Sequence, residues 1–208
     1  MKYRLVIFDM DGTLADSFPW FARELNAVAE RFHFRKVAPH EVEILRGLGA
    51  REILDRLGVP LWKVPLIARH MRALKTQALA DIPLFSGVEK VLAGLAARGI
   101  AIAIVSSDGE DNVRRALGAA NARLVAHLAC GSSMFGKPAK FRSVLRRSGI
   151  PAGQAIAIGD ETRDAEAARA VGLAFGAVAW GYSHIDALRP HAPDYVFSSF
   201  DDIITQLT

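Results

Sequence analysis

The sequence predicts an α/β fold in which a parallel sheet carries helices on both faces, interrupted after its first strand by a helical insert. Three observations lead there. Short apolar runs rich in Val and Ile recur at 5–8, 100–105, 155–158 and 174–180, the unbroken pattern of strands buried on both sides. From residue 86 onward these runs alternate with segments of three- and four-residue apolar spacing. Strand and helix in alternation require crossover connections and parallel pairing. Between the first run and residue 83, by contrast, nothing reads as a strand.

The first strand ends abruptly at Asp9, and Asp11, Gly12 and Thr13 follow. In an open parallel sheet that carboxyl end borders the ligand crevice. Taken alone, Asp11-Gly12 reads equally well as a turn; the acidic ligands and closing Glu of a calcium loop are missing around it. Residues 18–34 are helical in pattern, with Phe21, Leu25, Val28, Ala29 and Phe32 on one face. Pro39 fits the first turn of a second helix that runs through Val42 and Leu45 and stops near Gly47 and Gly49. A third helix, 51–57, is closed by Gly58 and Pro60, and a fourth spans 64–80 before Pro83 breaks the pattern. The block 16–83 is therefore expected to be an insert with a small core of its own, leaving 1–15 and 84–208 as the α/β portion. There a helix over 87–98 stops at Gly99, and the strand 100–105 ends at Ser106. Next come a helix at 112–117, a strand at 124–129, and a helix from Pro138 to about 148. The strand 155–158 ends at Gly159-Asp160, a helix covers 164–171, and a strand covers 174–180. A short strand at 195–197 and a helix at 201–207 close the chain, and no internal repeat or low-complexity tract interrupts it.

With 208 residues, 51% of them apolar, the chain fits one medium domain or a core domain with a smaller insert. No uninterrupted apolar run approaches ~18 residues, so no membrane span is expected, and the start lacks the layout of a secretory leader. The single cysteine, Cys130, cannot form an internal disulfide; a reducing, cytoplasmic setting and a packing role for Cys130 are the simplest expectations. The net charge of +4 favours anionic ligands, yet Lys and Arg are spread with no basic block, so no nucleic-acid partner is expected. The six histidines show no metal-ligand spacing. Nothing in the pattern specifies an oligomeric state.

Three buried-looking strands end on a polar residue: Asp9, Ser106 and Asp160. In a parallel sheet their ends share one edge, so residues far apart in sequence can meet. Lys137 precedes Pro138 at a helix entrance, where its ammonium and the helix N-terminus both favour an anion such as phosphate. Its position before a proline predicts an extended backbone, and a solvent-facing lysine is the ordinary alternative. Ser106 can offer its hydroxyl to a phosphate oxygen, with backbone N–H groups near Ser107 and Asp108 assisting, or act as a simple N-cap. Asp160 and Asp164 straddle a strand–helix junction and can both face the strand ends if Asp164 lies in the first helical turn; helix capping is the competing role for the pair. Together with Asp9 they form a hard, oxygen-rich pocket suited to Mg2+.

In order and in strand context, Asp9-Met10-Asp11-Gly12-Thr13, Ser106, Lys137 and Gly159-Asp160 with Asp164 resemble the four motifs of the haloacid dehalogenase (HAD) superfamily. The resemblance covers nearly the whole α/β portion, and the insert resembles the α-helical cap of the phosphoglycolate-phosphatase-like branch. It implies a three-layer Rossmann-like core with a small helical cap, a Mg2+ cofactor and a small phosphorylated metabolite as substrate. By the same resemblance Asp9 is the nucleophile and Asp11 the general acid and base. Thr13, Ser106, Ser107 and Lys137 handle the substrate phosphate, Thr13 by shaping the nucleophile loop. Asp9, Asp160, Asp164 and the main-chain carbonyl of Asp11 serve the metal; Glu161 joins this shell as a further candidate, and whether Asp164 ligates directly, ligates through water or orients Lys137 stays open.

Within that resemblance, branches that cleave carbon–halogen bonds usually lack an Asp at the position matching Asp11, so its presence implies phosphoryl chemistry. Phosphonate cleavage needs a Schiff-base lysine in the cap, and of Lys36, Lys63 and Lys75 none has a context that marks it. A sugar phosphomutase shares the motifs, and a non-catalytic phosphate-binding module keeping the fold is the reading from another class. For substrate contacts Phe18, Trp20 and Arg23 follow the nucleophile loop closely, Arg46 and Arg51 flank Gly47–Gly49, and Trp180-Gly181-Tyr182 follows a strand; packing or exposure explains each equally well.

Overall fold

The structure, a computed structural model, describes residues 2–131 and 136–208. Six strands, β1 (Leu5–Asp9), β2 (Ala101–Val105), β3 (His127–Ala129), β4 (Ala155–Gly159), β5 (Ala174–Val178) and β6 (Tyr195–Phe197), form one sheet in the order β3-β2-β1-β4-β5-β6. All pairs are parallel. β1 is central and buried along its whole length. The chain runs outward from it through β2 to β3, then crosses to β4 on the other side, which makes the β1–β4 boundary the switch point where a crevice opens.

The helices are α1 (Phe18–Phe32), α2 (Val42–Arg46), α3 (Ala50–Leu57), α4 (Val64–Gln77), α5 (Val88–Ala97), α6 (Glu110–Ala122), α7 (Lys137–Ser148), α8 (Thr162–Arg169), α9 (Ile185–Leu188) and α10 (Phe200–Leu207). Strand alternation divides the apolar residues between two layers. Val6, Phe8, Ile102, Ile104, Ile156 and Ile158 point to one face, where Val91, Leu95, Val113 and Ile203 of α5, α6 and α10 cover them. Leu5, Ile7, Ala103, Val105 and Ala157 point to the other, under Phe141, Val144, Ala168 and Leu188 of α7, α8 and α9. A third apolar cluster, built on Val37, Leu45, Leu57, Val59 and Val64, lies within the helical segment α1–α4. That segment leaves and rejoins the sheet layer by adjacent passages: Asp16 N donates to Pro83 O and Phe85 N to Leu14 O, both at 2.9 Å.

Several element bounds differ from the sequence reading for local reasons. The helix expected at 112–117 continues to Ala122, because Gly118 leaves helical dihedrals (φ 72°) and the helix resumes beyond it. The strand expected from 124 begins only at His127, since Leu124 N and Val125 N are taken by a turn against Asn121 O and Ala122 O. Lys137 is the first residue of α7 with Gly136 as N-cap, not an extended residue before it. α9 is a single turn of four residues, too short to show a period. Asp11-Gly12 does lie in a turn, with Gly12 at φ 73° and its N–H on Ala15 O at 2.9 Å, so the turn and the site readings of that dipeptide hold together.

Candidate active site

Sheet register brings the polar strand ends together. Asp9 pairs with Val105 of β2, and Phe8 with Ile158 of β4, so Ser106 and Asp160 emerge beside Asp9 on one edge. Asp164, third residue of α8, turns back to the same place: its Oδ2 accepts from the N–H groups of Asp160 and Glu161, both at 3.1 Å. Capping and facing the site are thus one arrangement. A carboxylate oxygen from each of Asp9, Asp160 and Asp164 lies within 4.8 Å of the others, and the three residues are only 6%, 0% and 1% exposed.

Lys137 enters this cluster from the start of α7. Its Nζ is 2.9 Å from Asp9 Oδ2 and also bonds the Asp164 carboxylate. Burial alone would lower its pKa; Asp164 and Asp9 outweigh that and hold the ammonium above the usual lysine range. Asp160 receives neutral donors instead. The Thr13 hydroxyl donates to its Oδ1 at 2.7 Å and Tyr182 N–H to its Oδ2 at 2.8 Å. Burial, then the nearby Glu161, Asp164 and Asp9 carboxylates, raise the Asp160 pKa well above the ordinary value. Glu161 is also raised, by burial, although the Arg163 guanidinium beside it pulls the other way. Three buried acids, of which Lys137 pairs with Asp9 and Asp164 while Asp160 accepts from the neutral donors of Thr13 and Tyr182, form a donor set that fits a hard divalent cation. The close approach depends on two glycines: a Cβ at Gly12 or at Gly181 would collide with the Asp160 side chain.

The remaining predicted residues fall as follows. Thr13 is fully buried, with its hydroxyl on Asp160. Ser106 is buried and its Oγ accepts from Asp108 N at 3.1 Å, shaping the loop; the N-cap of α6 is Gly109. Ser107 lines a cavity of about 610 Å³ that opens beyond the strand ends toward α1, α3 and α4. The Asp11 carboxylate stands outside the cluster of three and faces that cavity. Phe18, Trp20, Arg23 and Tyr182 also line it. Of the two readings open for Arg46, substrate contact and packing, the structure shows packing: its Nε and Nη2 donate to Tyr182 O at 3.0 Å and Gly181 O at 2.8 Å, and its guanidinium lies over the Phe18 ring at 4.7 Å. Arg51 is exposed. Cys130 is half-buried and packs against the core, its thiol pKa pushed up to about 11 by burial.

The sequence names Lys75 only as one of three cap lysines without a marking context and Asp108 only for its backbone N–H; the side-chain pairing of the two is new from the structure. Lys75, near the end of α4, donates to the carboxylates of both Asp11 and Asp108, and is buried. Burial would lower its pKa, but Asp11 and Asp108 raise it, so it stands there as an ammonium, not as the free amine a Schiff base requires. A signal was available: Val64, Ile67, Met71 and Lys75 share one helical face, and a lysine on an apolar stripe is unusual.

Sheet order, the acidic edge and the helical segment after β1 define a class. The chain belongs to the haloacid dehalogenase-like hydrolases, whose family model matches residues 6–178. Within that class it is a phosphatase of the phosphoglycolate-phosphatase-like branch. It is 31% identical over 204 residues to the phosphoglycolate phosphatase of Synechococcus elongatus, covering 98% of this chain and 96% of that protein. The phosphoglycolate phosphatase of Haemophilus influenzae is 25% identical over 221 residues, covering 99% of both chains. In fold, the chain resembles a haloacid dehalogenase-like hydrolase from Streptococcus pneumoniae (TM-score 0.81, 18% identity, covering 100% of this chain and 99% of that one). CbbY from Rhodobacter sphaeroides, solved in complex with phosphate, gives a TM-score of 0.71 at 20% identity, covering 97% and 96%.

Proposed function

We propose that the chain hydrolyses a small phosphomonoester, with 2-phosphoglycolate as the leading substrate, through an aspartyl-phosphate on Asp9 and with Mg2+ as cofactor. The convergence of Asp9, Asp160 and Asp164, with Lys137 paired to Asp9 and Asp164, carries this reading. The names of the full-length relatives support the substrate. Mg2+ suits Asp9, Asp160, Asp164 and the main-chain carbonyl of Asp11, and when bound it supplies positive charge that offsets repulsion between the Asp9 carboxylate and the phosphate.

An Asp9 oxygen attacks phosphorus, and the bond from phosphorus to the ester oxygen breaks. Asp11 gives its proton to the departing oxygen, then takes one from the water that cleaves the aspartyl-phosphate, releasing inorganic phosphate and restoring Asp9. Ser106, the N–H groups near Ser107 and the Lys137 ammonium stabilise charge on the transferring oxygens. Thr13 acts through Asp160, and Asp164 orients Lys137 while its other oxygen caps α8. In this scheme 16–83 is a cap over a core of 1–15 and 84–208, closing to exclude water. The paired passages at 14–16 and 83–85 supply its attachment. The lone cysteine supports a cytoplasmic setting; among the described residues no helix is long and apolar enough to cross a membrane.

The test is a panel of phosphate esters with the purified protein and Mg2+, read as free phosphate. Release from 2-phosphoglycolate above the other members is expected; no release from any member defeats the reading.

A further inference from the structure

We propose that Lys75 is the specificity-determining residue of the leaving-group side: its ammonium recognises a carboxylate on the carbon that bears the ester oxygen. The inference rests on the phosphatase reading above, in which Asp11 meets that oxygen.

The geometry is restrictive. An ammonium has three donors and no acceptor. Two of Lys75's go to Asp11 and Asp108, which leaves one, and the residue lies on the cavity wall with Asp11, Ser107 and Asp108. Because Lys75 bonds Asp11 directly, an ester oxygen received by Asp11 lies two hydrogen bonds from the ammonium. A carboxylate attached through a single carbon puts an oxygen about one hydrogen-bond length from that ester oxygen, so one further hydrogen bond from the ammonium spans the remainder. Of the other cations near the strand ends, Arg46 is held by the carbonyls of residues 181 and 182, and Arg163 pairs through Nη2 with Glu161 while its buried Nε has no partner among the described residues; neither bonds Asp11. Arg72, one turn earlier on α4, and Arg23 line the cavity as well, but neither bonds Asp11. Asp108 fits the same account. A buried acid beside the loop of Ser106 and Ser107 opposes anion binding unless a cation offsets it, and Lys75 is that cation.

The experiment compares kcat and KM for 2-phosphoglycolate and ethyl phosphate, two esters of one chain length that differ by the carboxylate, in wild type, Lys75→Met and Asp108→Asn. Wild type is expected to prefer 2-phosphoglycolate. Lys75→Met should reduce that preference tenfold or more, chiefly through KM, since a charge-assisted hydrogen bond to the substrate is lost. Equal losses on both esters would place Lys75 behind Asp11 alone and overturn the inference. Should Lys75→Met fail to fold, Asp108→Asn decides: freeing the ammonium from a competing carboxylate must raise the preference, and an unchanged or lower one refutes the role. Wild-type turnover of ethyl phosphate with no preference for 2-phosphoglycolate sinks the inference while sparing the phosphatase reading; turnover of no ester sinks the reading itself.

Discussion

The Thr13 hydroxyl donates to Asp160 Oδ1 at 2.7 Å across a sequence separation of 147 residues, tying the loop after β1 to the end of β4. Both side chains are fully buried, so water cannot replace the bond. Thr13→Val keeps the shape and removes the donor. The expected cost is about 1–3 kcal/mol, the penalty for a buried polar group left unpaired, together with weaker divalent-ion binding, because the hydroxyl favours the ionised form of Asp160. Urea unfolding and a Mg2+ titration of the variant measure the two effects separately.

Asp9 is the one acid paired with Lys137 that also ends the central strand. Asp9→Asn is expected to lower turnover by at least ~10³-fold, since the amide is a poor nucleophile. The fold should persist, because the substitution is isosteric and Lys137 keeps Asp164. Steady-state rates and circular dichroism check both halves, and a variant retaining full activity would remove Asp9 from the chemistry.

Asp160 makes stability depend on pH in a definite direction. Its folded-state pKa lies well above the ordinary 3.8. Between those values the folded protein holds a proton that the unfolded chain has released. Stability therefore falls as pH rises through that window, and the penalty is fully present above it. Without divalent ions, Asp160→Asn should melt higher than wild type at pH 8, and the gap should close as the pH falls toward 4. Mg2+ should stabilise wild type more at pH 8 than at pH 5; at about a hundred times its dissociation constant the gain is roughly 2.7 kcal/mol. Calorimetry with EDTA and with Mg2+ gives all four numbers, and EDTA should also stop phosphate release. A wild-type melting temperature indifferent to Mg2+ at both pH values would argue against the ion site.

Gly181 lies against Asp160 so closely that a methyl group has no room. Gly181→Ala must push Tyr182 N–H away from Asp160 Oδ2, where it now donates at 2.8 Å. Overpacking of this kind costs about 1–3 kcal/mol, and Mg2+ affinity should fall with it. Thermal melts and calorimetric titration test this; wild-type behaviour in both would show that the backbone has slack.

Much of the fold could be read from the chain because it repeats one physical pattern. Continuous apolar runs separated by amphipathic segments admit a parallel layered sheet and little else. The residues that end those runs followed from the same logic, since parallel pairing sends every strand end to one edge. Bounds failed where local hydrogen bonding overrode pattern: Gly118 kinked a helix instead of ending it, and a turn at 121–125 shortened β3. The pairing of Lys75 with Asp11 and Asp108 could not be read, because neither Lys75 nor Asp108 ends a strand or belongs to a motif. Arg46 stayed open between substrate contact and packing because a sequence shows a guanidinium but not the carbonyls of residues 181 and 182 that occupy it.

The sequence by itself determined the layered architecture, the helical segment after the first strand, and the acidic edge made by Asp9, Asp160 and Asp164. These depend on periodicity and on the direction of parallel strands, which are local properties summed along the chain. Only the tertiary structure decided the pairings: Thr13 and Tyr182 with Asp160, Lys137 between Asp9 and Asp164, and Lys75 between Asp11 and Asp108. A buried charge takes whatever partner the packed chain brings within hydrogen-bond reach, and that reach is set by how α4, α7 and α8 dock on the sheet edge, a relation no stretch of sequence contains.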